Sequence, residues 1–406
     1  MIMSQRRVDL PAIAGGDPVR SDFLSFSQPK LSEQEIAAVV ETLRSGWLTT
    51  AGRAREFEDS FKRRANTNYA VALNSCTAGL FLCLKVLNIG PGDEVITTPL
   101  TFPASVNVIE HCGASPVFAD VDPVTGNIDP NRVAEKVTAK TRVILPVHLY
   151  GRPCDMGALR TIADSRHLQI VQDCAHAIES EWKDRKTATY GDFACYSFYA
   201  TKNVTTGEGG MVLTDNEAWA DHIRILALHG LDKSAYDRYS EGGRVSYDLK
   251  EPGYKFNMPD TSAALGIESL KLLNQRFERR VEIWNRYMTG LADLPGLELP
   301  EEPSPNTIHA RHLFVCRLDP VKAGIVRDKM INALTKENIG SGIHFTPVHT
   351  FTYYREKYGI SDDDLPVAGE MGRRVFSLPF TPYLTDDDVE DVITAVRKII
   401  LHFSSK

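Results

Sequence analysis

The chain has 406 residues, 43% of them hydrophobic and 24% charged, with a net charge of −7 at neutral pH. That length exceeds the roughly 100–200 residues of one ordinary domain, and the composition is that of a globular chain, not a disordered one. The acidic balance gives no basic footprint for nucleic acid or an anionic membrane, so an anionic ligand needs a local site.

In chain order, Met1–Gly16 mixes Pro, Gly and charge and holds no apolar run suited to a signal peptide. No stretch reaches the ~18 apolar residues of a membrane span, and a cytoplasmic location is expected. Ser32–Ser45 has helical apolar spacing behind a capping box, Ser32 with Glu35. A second helix is expected over Arg53–Ala65. Short apolar runs then alternate with helical ones: strands at Tyr69–Leu73, Glu94–Thr97, Ser115–Ala119, Thr141–Val147 and Gln169–Asp173, helices at Cys76–Leu87, Ala104–His111, Asn131–Val137 and Cys154–Arg166. Such alternation implies crossover connections and a mainly parallel sheet buried on both faces.

Ala194–Phe198 and Gly210–Thr214 read as two neighbouring strands, and one long helical pattern runs from Ser262 through Glu282 toward Leu291. Leu294–Pro305, rich in Pro and Glu, reads as a linker into a C-terminal unit containing His312–Leu318, Ile325–Asn338 and Thr385–His402. The expected organisation is α/β: a large domain over residues 1–275, including the N-terminal segment, and a small α+β domain over 276–406.

Seven cysteines (Cys76, Cys83, Cys112, Cys154, Cys174, Cys195, Cys316) lack CxxC spacing and sit mostly in apolar runs, so buried thiols are expected, not a zinc site or a disulfide frame. His111, His148, His229 and His309 have no metal-like spacing. Asp386–Asp388 behind Thr385 reads as a helix start favoured by the helix dipole. Arg6-Arg7 and Arg63-Arg64 read as solvated.

The chemistry centres on Lys202, in Ser197-Phe198-Tyr199-Ala200-Thr201-Lys202-Asn203, ahead of Gly207-Glu208-Gly209-Gly210. A loop lysine alone is unremarkable. Asp173, however, ends an apolar strand, where a carboxylate reaches the crevice at the C-terminal edge of a parallel sheet. A lysine that can form a Schiff base, with a carboxylate that can keep a pyridinium nitrogen protonated, is what a pyridoxal cofactor requires. Asn74-Ser75-Cys76-Thr77-Ala78-Gly79, where a strand turns into a helix, is suited to cradle a phosphate, although simple N-capping by Ser75 or Thr77 reads equally well there.

Taken with these, Ser45–Thr50 (SGWLTT), Gly92–Phe102 (GDEVITTPLTF), Asp173–Ala177 (DCAHA), SFYATKN, GEGGM, Leu228–Gly230 (LHG), Tyr254–Gly266, Gly342–Tyr354 and Phe376–Val389 resemble the DegT/DnrJ/EryC1/StrS family of sugar aminotransferases, from about Asp22 to the C-terminus. The resemblance implies the fold-type I architecture of pyridoxal-phosphate (PLP) dependent transferases, with a mainly parallel seven-stranded sheet in the large domain. It also implies that Lys202 carries PLP and moves the substrate proton, that Asp173 pairs with the pyridinium nitrogen, and that His176 contacts the ring hydroxyl or orients Asp173. Phe102 would stack on one ring face, with Ala175 packed on the other. Ser75, Cys76, Thr77, Ala78 through its amide, and Ser197 would hold the phosphate. Family members complete that site with a residue of the neighbouring subunit, and Lys255 and Asn257 are both candidates for it. Trp47, Thr49, His344 and His349 would wall the sugar.

The function so implied is ping-pong transfer of an amino group from glutamate, which leaves as 2-oxoglutarate, to the keto carbon of a nucleotide-linked keto sugar, in a homodimer with shared sites. Within the family the resemblance is greatest to the aminotransferases that make UDP-4-amino-4-deoxy-L-arabinose, which points to C4 of a UDP-linked pentose or 6-deoxyhexose. A sugar dehydratase of the same family would have His in place of Lys202. A nicotinamide dehydrogenase would show Gly-x-Gly-x-x-Gly where Asn74–Gly79 stands. A non-catalytic regulator on this fold would not need both Lys202 and Asp173.

Overall fold

The computed structural model describes residues 10–232 and 246–405, so the readings of Arg6-Arg7 and of the start of Met1–Gly16 lie outside the described residues. Two helices come first, α1 (Glu33–Ser45) and α2 (Gly52–Ala65). The box that starts α1 is formed: the Glu35 amide donates to Ser32 Oγ at 3.2 Å and the Ser32 amide to the Glu35 carboxylate at 2.8 Å.

Then follow β1 (Tyr69–Leu73), α3 (Cys76–Val86), β2 (Glu94–Thr97), α4 (Ala104–His111), β3 (Ser115–Phe118), α5 (Pro130–Lys136), β4 (Thr141–Leu145), α6 (Met156–Arg166) and β5 (Gln169–Asp173). The short strands β6 (Glu181–Trp182) and β7 (Arg185–Lys186) precede β8 (Phe193–Ser197), β9 (Gly210–Thr214) and α7 (Glu217–Ala227). Seven strands form one sheet in the order β1-β9-β8-β5-β4-β2-β3. All pairs are parallel except the two made by β9, which runs antiparallel between β1 and β8.

Helices cover both faces, and the strand pleat assigns residues to them alternately. Val71 and Leu73 of β1, with Phe193 and Cys195 of β8, pack beneath α3, α4 and α7 against Leu80, Val108 and Ile223. Ala70 and Ala72, with Ala194 and Tyr196, face Phe57 and Phe61 of α2.

The long helical pattern after Pro259 is two helices, α8 (Asp260–Lys271) and α9 (Leu273–Leu291), with Leu272 between them. Apolar spacing runs through the junction because each helix has its own core to face: Ala263 and Ile267 join the α2 side of the large sheet, whereas Trp284 and Tyr287 join a separate C-terminal core. The position 275/276 falls inside α9. The linker stretch contains β10 (Leu297–Glu298), and β11 (Thr307–Ile308) pairs with β6.

After β12 (Phe314–Leu318) come α10 (Arg327–Lys336), α11 (Thr352–Tyr358), α12 (Pro366–Arg374), β13 (Val375–Leu378) and α13 (Asp386–Ser404). The antiparallel sheet β10-β12-β13 packs Phe314 and Phe376 against Val392 and Val396 of α13. Thr385 and Asp388 form a second capping box, so the three acids there start a helix. All seven cysteines are free and buried. No helix among the described residues is long and apolar enough to cross a membrane.

Candidate active site

In a mostly parallel sheet the strand ends gather chemistry at one edge. Here that edge carries the turn after β1 (Asn74–Cys76), the turn after β2 (Thr101, Phe102), Asp173 closing β5, Ser197 closing β8 and Gly210 opening β9. His312 and Leu313 ahead of β12, His344 and Phe345, and Phe380 just after β13 stand across from it. Between them lies a cavity of about 510 Å³ lined by Ser75, Cys76, Thr77, Phe102, Asp173, Ala175, His176, Ser197, Lys202 and His344, all expected there from the sequence.

Asp173 is buried at the cavity floor. Its Oδ2 accepts from Ser105 Oγ at 2.7 Å and its Oδ1 from the Ala175 amide at 3.0 Å. Burial still pushes its carboxyl above the usual range, against those bonds and against Lys202. Burial also lowers the Lys202 amine to about 8, opposed by Asp173 and Cys76. The same desolvation that disfavours the carboxylate thus brings the neutral form of Lys202 much closer to physiological pH, as a nucleophile requires, although the protonated form still predominates there.

Ser75 caps α3, its Oγ accepting from the Ala78 amide at 3.1 Å. The Ala78 amide is therefore engaged within the cap, and Ala78 lies behind the cavity wall. The first-turn amides of Cys76 and Thr77 have no intrahelical acceptor, and with the Ser75 and Thr77 hydroxyls they make an anion cradle at the positive end of the helix. Gly210 lets that turn sit directly on β9: a Cβ there would stand 2.3 Å from the carbonyl carbon of Ser75.

His176 accepts at Nδ1 from the Tyr150 amide (3.2 Å) and stacks on Phe345, with ring planes 10° apart. Burial, then Lys202 and His344, push it well below the ordinary histidine value. His344 holds Ser377 Oγ at 2.8 Å and stacks on Phe26; burial and Lys202 lower it to about 4. Phe102 is 61% exposed, an apolar ring at the cavity wall.

Besides Ala78, five sequence candidates lie off this chain's cavity. His349 is buried elsewhere, its Nε2 3.0 Å from Asp362 Oδ1. Trp47 and Thr49 are exposed on the loop after α1. That loop touches the Tyr254–Met258 segment, where the Asn257 amide donates to Thr50 Oγ1 at 2.6 Å. Asn257 is thus tied down within the chain, whereas Lys255 is exposed two residues before it, its backbone carbonyl accepting from Asn74 Nδ2 at 3.4 Å. The sequence reading missed Ser105, Thr101, Tyr199, Glu208, His312 and Phe345; of these Thr101, Tyr199, Glu208 and Phe345 lay inside motifs already singled out, whereas Ser105 and His312 did not.

The donor set fits PLP. A buried carboxylate lines the cavity, an amine of lowered pKa shares it, a helix N-terminus supplies free amides, and the small Ala175 stands beside Asp173. The profile described as the DegT/DnrJ/EryC1/StrS aminotransferase family matches residues 29–397. The chain is 48% identical over 382 residues to the spore coat polysaccharide biosynthesis protein SpsC of Bacillus subtilis, covering 94% of this chain and 98% of that protein. Among solved structures, Spr1654 from Streptococcus pneumoniae in its PMP form superposes with a TM-score of 0.88 at 33% identity, covering 94% of this chain and all of the other. DesI, solved in the presence of its TDP-sugar product, gives 0.86 at 31% identity and 98% coverage of both chains.

Proposed function

The chain belongs to the DegT/DnrJ/EryC1/StrS aminotransferase family and uses PLP, and we propose that it moves an amino group from glutamate to the keto carbon of a nucleotide-linked sugar. The observation that carries this is the single cavity in which Lys202, Asp173 and the Ser75–Thr77 cradle meet. C4 of a UDP-linked keto sugar is the substrate to try first. DesI, with its TDP-sugar product, supports the nucleotide link, and SpsC supports a role in polysaccharide biosynthesis.

When bound, PLP supplies the carbonyl that takes up the amino group and a ring that draws off the electron pair left as a proton departs. Lys202 would attach the cofactor through its amine, and the same amine would give or take a proton at the substrate carbon. Its lowered pKa lets it serve as base and, protonated, as acid within the same cavity. Asp173, held by Ser105 and the Ala175 amide, would keep the ring nitrogen charged. Ser75, Cys76, Thr77 and Ser197 would hold the phosphate, and Phe102, Ala175 and His176 would receive the ring. His344 stands on the sugar side.

A homodimer accounts for the candidates outside the cavity. Trp47, Thr49 and Lys255 lie exposed, with Leu43 and Leu48 beside the first two, and would face a partner's site. Asn257, committed to Thr50, leaves Lys255 as the residue lent to the partner's phosphate. The seven free thiols agree with a cytoplasmic location.

The test is the absorbance of purified protein with PLP before and after glutamate, followed by amination of UDP-4-keto and TDP-4-keto sugars. A visible band that moves to the near-ultraviolet with glutamate, and returns with the keto sugar, is expected. In Lys202→Ala both the band and turnover should disappear; turnover persisting there would sink the assignment.

A further inference from the structure

His176 and His312 both line the cavity, with ring centroids 4.4 Å apart and planes inclined by 30°. One residue frames the pair: the Tyr150 amide donates to His176 Nδ1 at 3.2 Å, and the Tyr150 carbonyl accepts from the His312 amide at 3.1 Å. Because His176 Nδ1 accepts, the proton of the neutral ring sits on its Nε2.

His312 is set the opposite way. Its Nδ1 lies 3.0 Å from Asn203 Oδ1. The Asn203 amide has only one sensible orientation, since its Nδ2 faces both oxygens of Glu179 at 2.9 Å and the Ala310 carbonyl at 3.1 Å. A flipped amide would set its oxygen against the Ala310 carbonyl and at least one unprotonated Glu179 oxygen. His312 Nδ1 therefore donates, and its Nε2 keeps a lone pair. Among the described residues neither Nε2 meets a partner, and neither is an atom sealed away from the cavity. Burial holds both rings well below the ordinary histidine value, so both are neutral.

We propose that His176 and His312 form a matched donor–acceptor pair that binds one hydroxyl group in the cavity, with Glu179 and Asn203 as positioning residues that set the tautomer of His312. A hydroxyl oxygen accepts from His176 Nε2 while its own hydrogen goes to His312 Nε2. An ether or a methyl group cannot satisfy both. Two such hydroxyls are at hand: the ring hydroxyl of PLP and a hydroxyl of the sugar, the second resting on the function proposed above.

The experiment uses full-length protein loaded with PLP. Nitrogen-15 spectra of labelled histidine, assigned by loss of signal in His312→Phe, should show Nδ1 of His312 protonated. Asn203→Leu and Glu179→Gln should shift that population toward Nε2. The pH midpoint of the visible band, the PLP dissociation constant, and kcat and KM for the keto sugar are then compared in His312→Gln and His312→Phe.

A moved midpoint or weakened PLP binding assigns the hydroxyl to the cofactor. A rise of about tenfold in KM for the sugar, with a smaller change in kcat and an unmoved band, assigns it to the sugar. In either case the Gln variant, whose oxygen can accept, retains more than the Phe variant. A proton on Nε2 of His312 in the wild type, or variants matching the wild type in all of these readouts, overturns the proposal. Should the wild type aminate no sugar at all, the tautomer and cofactor readouts still judge the pair, and the failure belongs to the proposed function alone.

Discussion

Replacing Gly210 by alanine puts the phosphate cradle under direct strain. The residue pairs with Leu73 of β1 on one side and Ser197 of β8 on the other, so the strand has nowhere to move. The added methyl would stand 2.3 and 2.4 Å from the carbonyl carbon and oxygen of Ser75, and 2.5 Å from the Cys76 nitrogen. All three are backbone atoms, and ordinary contact begins at 3.4 Å, so the turn must retreat by about 1 Å. Overpacking of this kind costs typically 1–3 kcal/mol, and backbone meeting an immobile strand belongs at the upper end, about 3 kcal/mol. That strain divides between lost stability and lost cofactor affinity. Titration of the apoprotein with PLP should show a dissociation constant raised between about tenfold and hundredfold, with a lowered melting temperature. Gly52→Ala is the control: nothing lies within 4 Å of its Cβ and it opens α2, so stability and cofactor affinity should hold. A Gly210→Ala protein with wild-type affinity and wild-type melting would refute the claim that the cradle rests on β9.

Two further outcomes follow from the cavity floor. The rate at which PLP attaches to the apoprotein, followed by visible absorbance, should rise through about pH 8, because burial lowers Lys202 to about that value and only the neutral amine reacts. A midpoint near the ordinary lysine value of 10.5 would contradict the buried placement. Ser105→Ala removes the 2.7 Å donor to Asp173 and leaves one oxygen of a buried acid unpartnered, which should cost about 1–2 kcal/mol and lower kcat/KM roughly tenfold. Unchanged kinetics there would show that Asp173 needs no such support.

What could be read from the sequence was local. The Ser32 and Thr385 boxes, the alternation along β1 to β5, and the candidates Ser75, Asp173 and Lys202 all announce themselves within a few residues, as a strand ending or a helix starting. The break at Leu272 did not, since apolar spacing continues across it while the two helices face different cores. Ser105 and His312 were equally silent. Their roles rest on partners 68 and 109 residues away, Asp173 and Asn203, and an isolated serine or histidine on an apolar background gives no sign of them. His349 shows the converse: its neighbourhood in the chain suggested the cavity, and the turn at Val348–Thr350 instead directs it to Asp362.

The reversed strand β9 bears on how such a site can change over time. Because it runs against its neighbours, the segment carrying Lys202 leaves the sheet at Ser197 and re-enters it at Gly210, its paired residue on the same edge. Inside, Phe198 bonds Gly209 and Thr206, and Lys202 bonds back to Tyr199. The reactive lysine thus rides on a closed cassette with both anchors in register, independent of any crossover helix. Substitutions at the pocket-facing residues of this segment, Tyr199, Thr201, Lys202 and Glu208, can remake its chemistry while Phe198 and Val204 stay in the core and the strands keep their order.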